Sequence, residues 1–137
     1  MKKRVIALVG ALVLIAGLFF GGRLLLDTMR YRRLISEIEL RLPDLTQIQD
    51  GTFNGAFDAI LVSANVDVTV ENHRIIGIVI NEHHHGRTNA VEVEIVIDDV
   101  ILTQSLDVDT VSGATNSSKV ILNAVQIALE NAVVVQP

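Results

Sequence analysis

The sequence predicts a small α+β domain, an antiparallel sheet packed with helices, preceded by an N-terminal transmembrane helix. Eighteen residues without a charged side chain, 5–22, stand near the front of the chain. Three short segments rich in β-branched residues follow, and a segment with an apolar stripe at helical spacing comes last. Strands followed by helices, rather than strict alternation of the two, are typical of α+β domains.

The charge-free segment 5–22 is long enough to span a bilayer. A secretory signal peptide is the alternative, but its apolar region is usually shorter, and no small-x-small cleavage site is evident near Phe19-Phe20-Gly21-Gly22. We therefore expect an uncleaved single-pass anchor in the cell membrane. Three Lys or Arg precede the segment and four Arg follow it by residue 33, so the charge count leaves the orientation open.

Composition divides the chain into two predicted parts. Residues 1–41 carry eight Lys or Arg against three acidic residues, whereas residues 42–137 carry three against thirteen. Apolar residues recur at helical spacing from Leu34 to Leu42, so we expect the anchor helix to continue as a stalk until Pro43 ends it. The expected parts are an anchor with its juxtamembrane helix, 1–41, and one soluble domain, 42–137. The acidity of this domain argues against nucleic acid as a partner.

Three strands are expected in the first half of the soluble domain. The turn signal Asp50-Gly51-Thr52 precedes a first strand over 53–60. The second strand, 64–70, alternates Val with polar residues, and the third, 74–81, is rich in Ile and Val. Because only Glu71-Asn72-His73 separates them, the second and third strands should form an antiparallel hairpin.

Two further segments complete the predicted domain. Segment 90–103 is ambiguous, because its apolar residues fit both strand alternation and one helical face; propensity favours a strand and length favours a helix. The last segment carries an apolar stripe at helical spacing. We expect a helix there, capped by Thr115 or Ser117 and running to about Asn131.

The residue types present exclude several kinds of chemistry. Cysteine is absent, which removes disulfides, thiolate metal sites, thiol nucleophiles and iron-sulfur clusters. Redox chemistry would therefore need an added cofactor. The tract His83-His84-His85 resembles a metal site, but neighbours on a strand point to alternate faces. We therefore predict no metal site and no catalytic residues, and we favour an exposed polar loop for this tract.

Small hydroxyl-bearing residues surround one glycine in segment 109–115, directly before the last predicted helix. A helix N-terminus offers free backbone amides and the positive end of the helix dipole, and Gly113 lets the chain turn without an obstructing side chain. This pattern predicts an anion site that suits a phosphate ester on Thr115. The alternative is an ordinary capped helix start without a ligand.

The motif fills every fixed position of the pattern Asp-x-x-(Ser or Thr)-Gly-Ala-Thr with Asp109, Ser112, Gly113, Ala114 and Thr115. In this the chain resembles the FMN-binding domain family, which includes a subunit of the sodium-translocating NADH:quinone reductase and subunits of Rnf-type complexes. The similarity covers about residues 50–132, and it extends to the acidic-His pair Glu82-His83.

The resemblance implies FMN attached covalently, by a phosphoester bond, to Thr115. The other cofactor-binding residues that it implies are Asp109, Ser112, Gly113, Ala114 and His83. In the family a separate flavin transferase takes FMN from FAD, which needs magnesium, so the protein is expected to be the substrate of that reaction. His83 would lie at the flavin edge. Asp109 would shape the turn or guide the transferase, or would simply bond nearby backbone amides.

The expected function is that of a membrane-anchored electron carrier, with its domain outside the cytoplasm as in the relatives and with an unidentified electron donor and acceptor. A small flavin-dependent reductase is one alternative, although so small a domain provides little wall for a substrate pocket. The other is a flavin-free, membrane-tethered interaction or sensing module, which would be colourless.

Overall fold

The computed structural model describes residues 2–84, 90–110 and 113–133. The elements, in chain order, are a long helix α1 (Lys2–Glu37), a short 3-10 turn (Leu45–Gln47), the strands β1 (Gly51–Asp58), β2 (Ser63–Glu71) and β3 (Arg74–His84), and the helices α2 (Ala90–Thr103) and α3 (Thr115–Ala132). The three strands form one antiparallel sheet in the order β1-β2-β3. This arrangement confirms the predicted α+β class.

Helix α1 contains the apolar segment and stands clear of the rest of the molecule over that length. Its most apolar 18-residue window has a mean hydropathy of 2.6, and none of that window is buried. These are the length and composition that a helix needs to cross a membrane. The structure therefore fits the predicted transmembrane helix.

The expectation that this helix continues to Pro43 is wrong. α1 ends at Glu37, and in residues 38–42 the apolar side chains, at every second position, are half-buried against the core. The backbone N–H of Arg41 donates a hydrogen bond of 2.8 Å to the side-chain oxygen of Gln126 in α3. An extended path prevails here because it lays alternate apolar side chains on the domain, which a continued helix would carry past it.

The observed strands agree with the predicted strands and differ from them at the ends. β1 stops at Asp58 rather than at residue 60, and β3 continues to His84 rather than stopping at residue 81. β2 and β3 form the predicted antiparallel hairpin. Two rows of paired residues mark the ends of the sheet, namely Gly51, Val70 and Ile75 in one row, and Asp58, Ser63 and His84 in the other. We call these the Val70 end and the His84 end.

One face of the sheet is covered by helices, and the other is polar and open. The side chains of β2 alternate between buried Ala or Val and half-exposed polar residues. α3 packs over β1 and β2, and α2 packs beside β3. The ambiguous segment 90–103 is therefore a helix, and its residues Val96 and Val100, one turn apart, are fully buried.

Gly55 in β1 is the point of closest approach between the sheet and α3. A Cβ atom at this position would overlap the carbonyl oxygen of Ala124 and the backbone nitrogen of Ala128. Only glycine lets the helix backbone lie directly on the strand. This contact fixes the height at which α3 crosses the sheet.

Candidate functional site

The direction of α3 decides where the sequence motif lies. Ile48, just before β1, forms an isolated antiparallel β-bridge with Val133, just after α3, and the middle of α3 covers Gly55. α3 therefore runs antiparallel to β1, and its C-terminus lies at the Val70 end of the sheet. Its N-terminus, with Thr115, points toward the His84 end.

The segment that joins α2 to α3 begins at the opposite, Val70 end of the sheet. Gln104, directly after α2, is bound at the Val70 end, because its side chain accepts from the N–H of Ile75 and donates to the C=O of Ile75, both at 2.8 Å. Ten extended residues span roughly 33 Å, about the length of β3. Segment 105–114 thus has the reach to carry the motif to the start of α3.

Apolar anchors hold this returning segment against the core. Leu106 is buried and Val108 is partly buried against the core cluster, while Asp107 and Asp109 between and after them are exposed. The alternation places the acidic side chains outward, toward solvent. Asp109, the first residue of the motif, therefore has an exposed carboxylate.

The N-cap residue of α3 makes no side-chain capping hydrogen bond. Its N-cap is Ala114, whereas the prediction placed the cap at Thr115 or Ser117, and that prediction is wrong. Alanine has no side-chain acceptor and is among the least favourable capping residues. The first backbone hydrogen bond of the helix joins the N–H of Ser118 to the C=O of Ala114 at 2.9 Å. The positive end of a helix dipole is a place at which proteins bind anions.

Space and access are present at the same place. Gly113 is exposed and has a φ of +92°, and a Cβ built on it would meet no atom of the described residues within 4 Å. Thr115, the first residue of α3, is exposed. An exposed hydroxyl, open space and a helix start fit a phosphate ester on Thr115.

Lys119 is a positive residue that the sequence analysis missed. It lies four residues after Thr115, one helical turn away, so the two side chains share a side of α3. Lys119 is half-buried, and it places a cation near the helix start in an otherwise acidic domain. Its i,i+4 spacing from Thr115 was the sequence signal that could have identified it. Arg74, by contrast, begins β3 at the Val70 end.

The first two histidines of the tract lie in β3, not in the predicted loop, and His85 is outside the described residues. His83 pairs with buried Ala64, so it faces the helix-covered side of the sheet and is half-buried. His84 pairs with Ser63 and is exposed on the open side. The expected alternation of faces is confirmed. Among the residues that the structure describes, no three His, Asp or Glu side chains group closely enough to hold a metal ion.

The structure thus brings most of the predicted site residues to one end of the domain. Gly113, Ala114 and Thr115 form the start of α3, Asp109 precedes them, and His83 lies at the His84 end toward which that start points. Ser112 lies outside the described residues, so its place in the site stays a prediction.

The structure thus combines an α+β domain, an exposed threonine at the start of its last helix, and an N-terminal helix long and apolar enough to cross a membrane. The model of the FMN-binding domain family matches residues 63–130, from the start of β2 nearly to the end of α3. The chain therefore carries an FMN-binding domain of this family, a class of domain that binds flavin for electron transfer, which confirms the resemblance. The match begins after β1. No curated protein and no solved structure matches the chain.

Proposed function

We propose that the protein is a membrane-anchored, extracytoplasmic electron carrier whose FMN is joined by a phosphoester bond to Thr115. The observation that carries this proposal is the exposed Thr115 hydroxyl in the first turn of a helix whose N-cap, Ala114, offers no side-chain acceptor. An ester phosphate there is accessible to a transferase and is stabilised by the helix dipole.

In the proposed attachment step, FMN is transferred from FAD to Thr115. Thr115 Oγ1 forms a bond to the phosphorus on the FMN side of the FAD pyrophosphate, the bridging P–O bond breaks, and AMP leaves with the electron pair. The threonine proton passes to a base. An unactivated hydroxyl is a weak nucleophile, so we assign that base and the magnesium ion to the flavin transferase. The protein is the substrate in this step.

The residues around Thr115 have distinct roles in this proposal. The helix start holds the phosphate, Gly113 leaves room beside it, and Lys119 balances its charge. His83, half-buried on the helix side of the sheet, hydrogen-bonds the ring edge or holds charge there. Asp109 shapes the turn or guides the transferase. FMN itself supplies the reversible uptake of electrons.

The membrane side of the proposal rests on α1. We propose that α1 remains uncleaved and that the domain lies outside the cytoplasm, as the family resemblance implies. The end of α1 packs on the domain, since Ile35 is buried in the core cluster. Protease should digest the domain in cells whose cytoplasmic membrane is intact, once the cell envelope outside that membrane has been made permeable. A domain that stays protected until the cytoplasmic membrane is lysed would contradict this orientation.

The decisive experiment is coexpression of the full chain with a flavin transferase, followed by intact mass and flavin fluorescence of the denatured protein. The wild type should gain one FMN adduct, and Thr115→Ala should gain none. Thr110→Ala is the matched control, because Thr110 is a half-buried threonine of the same motif and not the acceptor. An unmodified wild type, or an adduct retained in Thr115→Ala, would overturn the proposal.

A further inference from the structure

The turn between β1 and β2, at the His84 end, has an unusual backbone. Ile60 has a φ of +73°, and the N–H of Leu61 donates to the C=O of Ala59 at 2.8 Å. This bond between residues two apart closes a γ-turn with Ile60 at its centre, of the rare and strained kind with positive φ. The carboxylate of Asp58 accepts from the N–H of Ile60 at 2.7 Å and holds the turn in place.

Isoleucine is a poor choice for this backbone. A β-branched residue with positive φ is a steric outlier, whereas glycine adopts that conformation freely. The hairpin turn at the Val70 end uses Asn72, with a φ of +49°, where asparagine is well tolerated. A strained residue that glycine would relieve points to a role for its side chain.

The side chain of Ile60 projects into solvent together with its neighbour. Ile60 is 45% exposed and Leu61 is 44% exposed, although Ala59 and Val62 on either side are buried. The pair forms an apolar tip, Ile60 and Leu61, at the end of the sheet toward which the start of α3 points. Exposed apolar side chains in a strained turn gain free energy when a flat apolar group covers them.

We propose that the Ile60–Leu61 tip forms an apolar wall against the isoalloxazine ring of FMN carried on Thr115. This inference rests on the proposed function. With the phosphate held at the helix start, the flexible ribityl chain lets the ring lie over the end of the sheet, where His83 offers a polar edge and the tip an apolar face. The chain has no Trp, one Tyr and four Phe, so an aliphatic wall also suits its composition.

The test uses the full chain loaded with FMN and three variants. Ile60→Gly and Leu61→Ala remove the two side chains of the tip, and Asn72→Gly makes the matched change in the turn at the opposite end. Intact mass comes first, because a wild type without an FMN adduct would overturn the proposed function itself. Iodide quenching of flavin fluorescence then measures how far the ring is exposed.

The quenching constant should rise about twofold or more in Ile60→Gly and Leu61→Ala and stay unchanged in Asn72→Gly. If the FMN adduct is present and quenching is the same in all four proteins, the tip does not cover the ring. That result would overturn this inference and leave the covalent attachment standing.

A second measurement needs no flavin. In the full chain made without the transferase, Ile60→Gly should raise the unfolding temperature by about 4 °C, because glycine relieves a strain that the side chain does not offset in the unloaded fold. Leu61→Ala should not raise it. A lower unfolding temperature for Ile60→Gly would show that Ile60 serves the fold rather than the ring, and would contradict the proposal.

Discussion

The two ends of the sheet are built differently. The Val70 end is tied by hydrogen bonds from several elements: the N–H of Asn72 to the carboxylate of Asp50 at 2.8 Å, Nδ1 of His73 to the C=O of Leu45 at 3.1 Å, and the side chain of Gln104 to both backbone groups of Ile75. The His84 end carries the exposed Thr115, the open Gly113 and the strained Ile60. The comparison teaches that hydrogen bonds between elements gather at one end of the sheet, whereas the proposed attachment site lies at the other.

This separation has a physical basis. The bonds from Gln104 are partly buried, and removing that side chain would leave the backbone groups of buried Ile75 unsatisfied, so the Val70 end resists change. A site that an enzyme must reach has to keep its hydroxyl and its helix start accessible. Substitutions should therefore divide into those that lower stability and those that impair flavin attachment.

The largest effect is expected from Gly55→Ala, which should disturb both ends at once. The added Cβ would overlap backbone atoms of α3, which cannot move aside as a flexible side chain can. α3 must shift, at a cost of about 3 kcal/mol in the free energy of unfolding, and the start of the helix should move with it and slow FMN attachment. Urea denaturation and intact mass measure the two effects.

Gly77→Ala is the matched control for that substitution. Gly77 lies in β3, and a Cβ there would come no closer than 3.9 Å to Thr69, an ordinary contact. Its stability should stay within about 0.5 kcal/mol of the wild type. Equal losses in the two variants would show that the close approach of α3 to Gly55 does not organise the domain.

Gln104→Ala should destabilise the Val70 end of the sheet and leave the His84 end unaffected. It removes the two hydrogen bonds to Ile75 and a third, at 2.6 Å, to the C=O of Ile101, and it leaves the buried backbone groups of Ile75 without their partner. We expect a loss of about 2 kcal/mol in the free energy of unfolding and unchanged FMN attachment under native conditions. Gln47→Ala, at an exposed glutamine bonded to Asp44, is the control and should be nearly neutral. Loss of the adduct in Gln104→Ala would show that the two ends are coupled.

Lys119→Gln should act at the other end, with a smaller effect. A half-buried lysine one turn from an ester phosphate contributes up to about 1 kcal/mol, so FMN attachment should slow by about threefold to fivefold. The free energy of unfolding should change little. Arg74→Gln, which removes one positive charge from the Val70 end, should leave the rate unchanged. Equal slowing in both variants would assign the effect to net charge rather than to position.

Strict alternation in β2 and the short separation before β3 were enough to predict the hairpin. The helix over 90–103 was ambiguous, because packing of Val96 and Val100 on the core, which no local pattern contains, decides it. The prediction of a helix over 38–42 is wrong for the same reason, because packing of the apolar side chains on the core decides the structure there. There the alternation of Ile and Leu with charged residues was a strand-like signal that the helical spacing obscured.

The site was predictable in part. The motif located the start of α3 and its glycine, since both depend on local chemistry. Its cap was not predictable, because Ala114 breaks the usual preference for a polar capping residue. Ile60 carries no turn signal in the sequence, and only the backbone reveals it. Such departures from local preference are expected where function sets the residue.

The smallest effect is expected on the open face of the sheet, between the two ends. Asp67 accepts a hydrogen bond of 2.7 Å from the side chain of Asn54, and this bond, together with a weaker contribution from Asn81, lowers the pKa of Asp67 below its ordinary value of 3.8. A lowered pKa in the folded state means that the stabilisation is present above pH 3.8 and is lost as the pH falls through the folded pKa. Asp67→Asn, whose neutral amide oxygen accepts a weaker hydrogen bond from Asn54 than the carboxylate does, should therefore be slightly less stable than the wild type near pH 7.

Below about pH 4 the two proteins should converge, because the wild type protonates its hydrogen-bonded carboxylate and loses the stabilisation that the variant lacks at every pH. The unfolding midpoint in urea should fall less steeply with acid in Asp67→Asn than in the wild type, and FMN already attached to Thr115 should be retained in both. Asp107→Asn is the control, since Asp107 is an exposed carboxylate in the segment before α3. If Asp67→Asn follows the wild-type acid profile, the bond from Asn54 contributes no stability, and the open face is then only a solvated surface between the two ends.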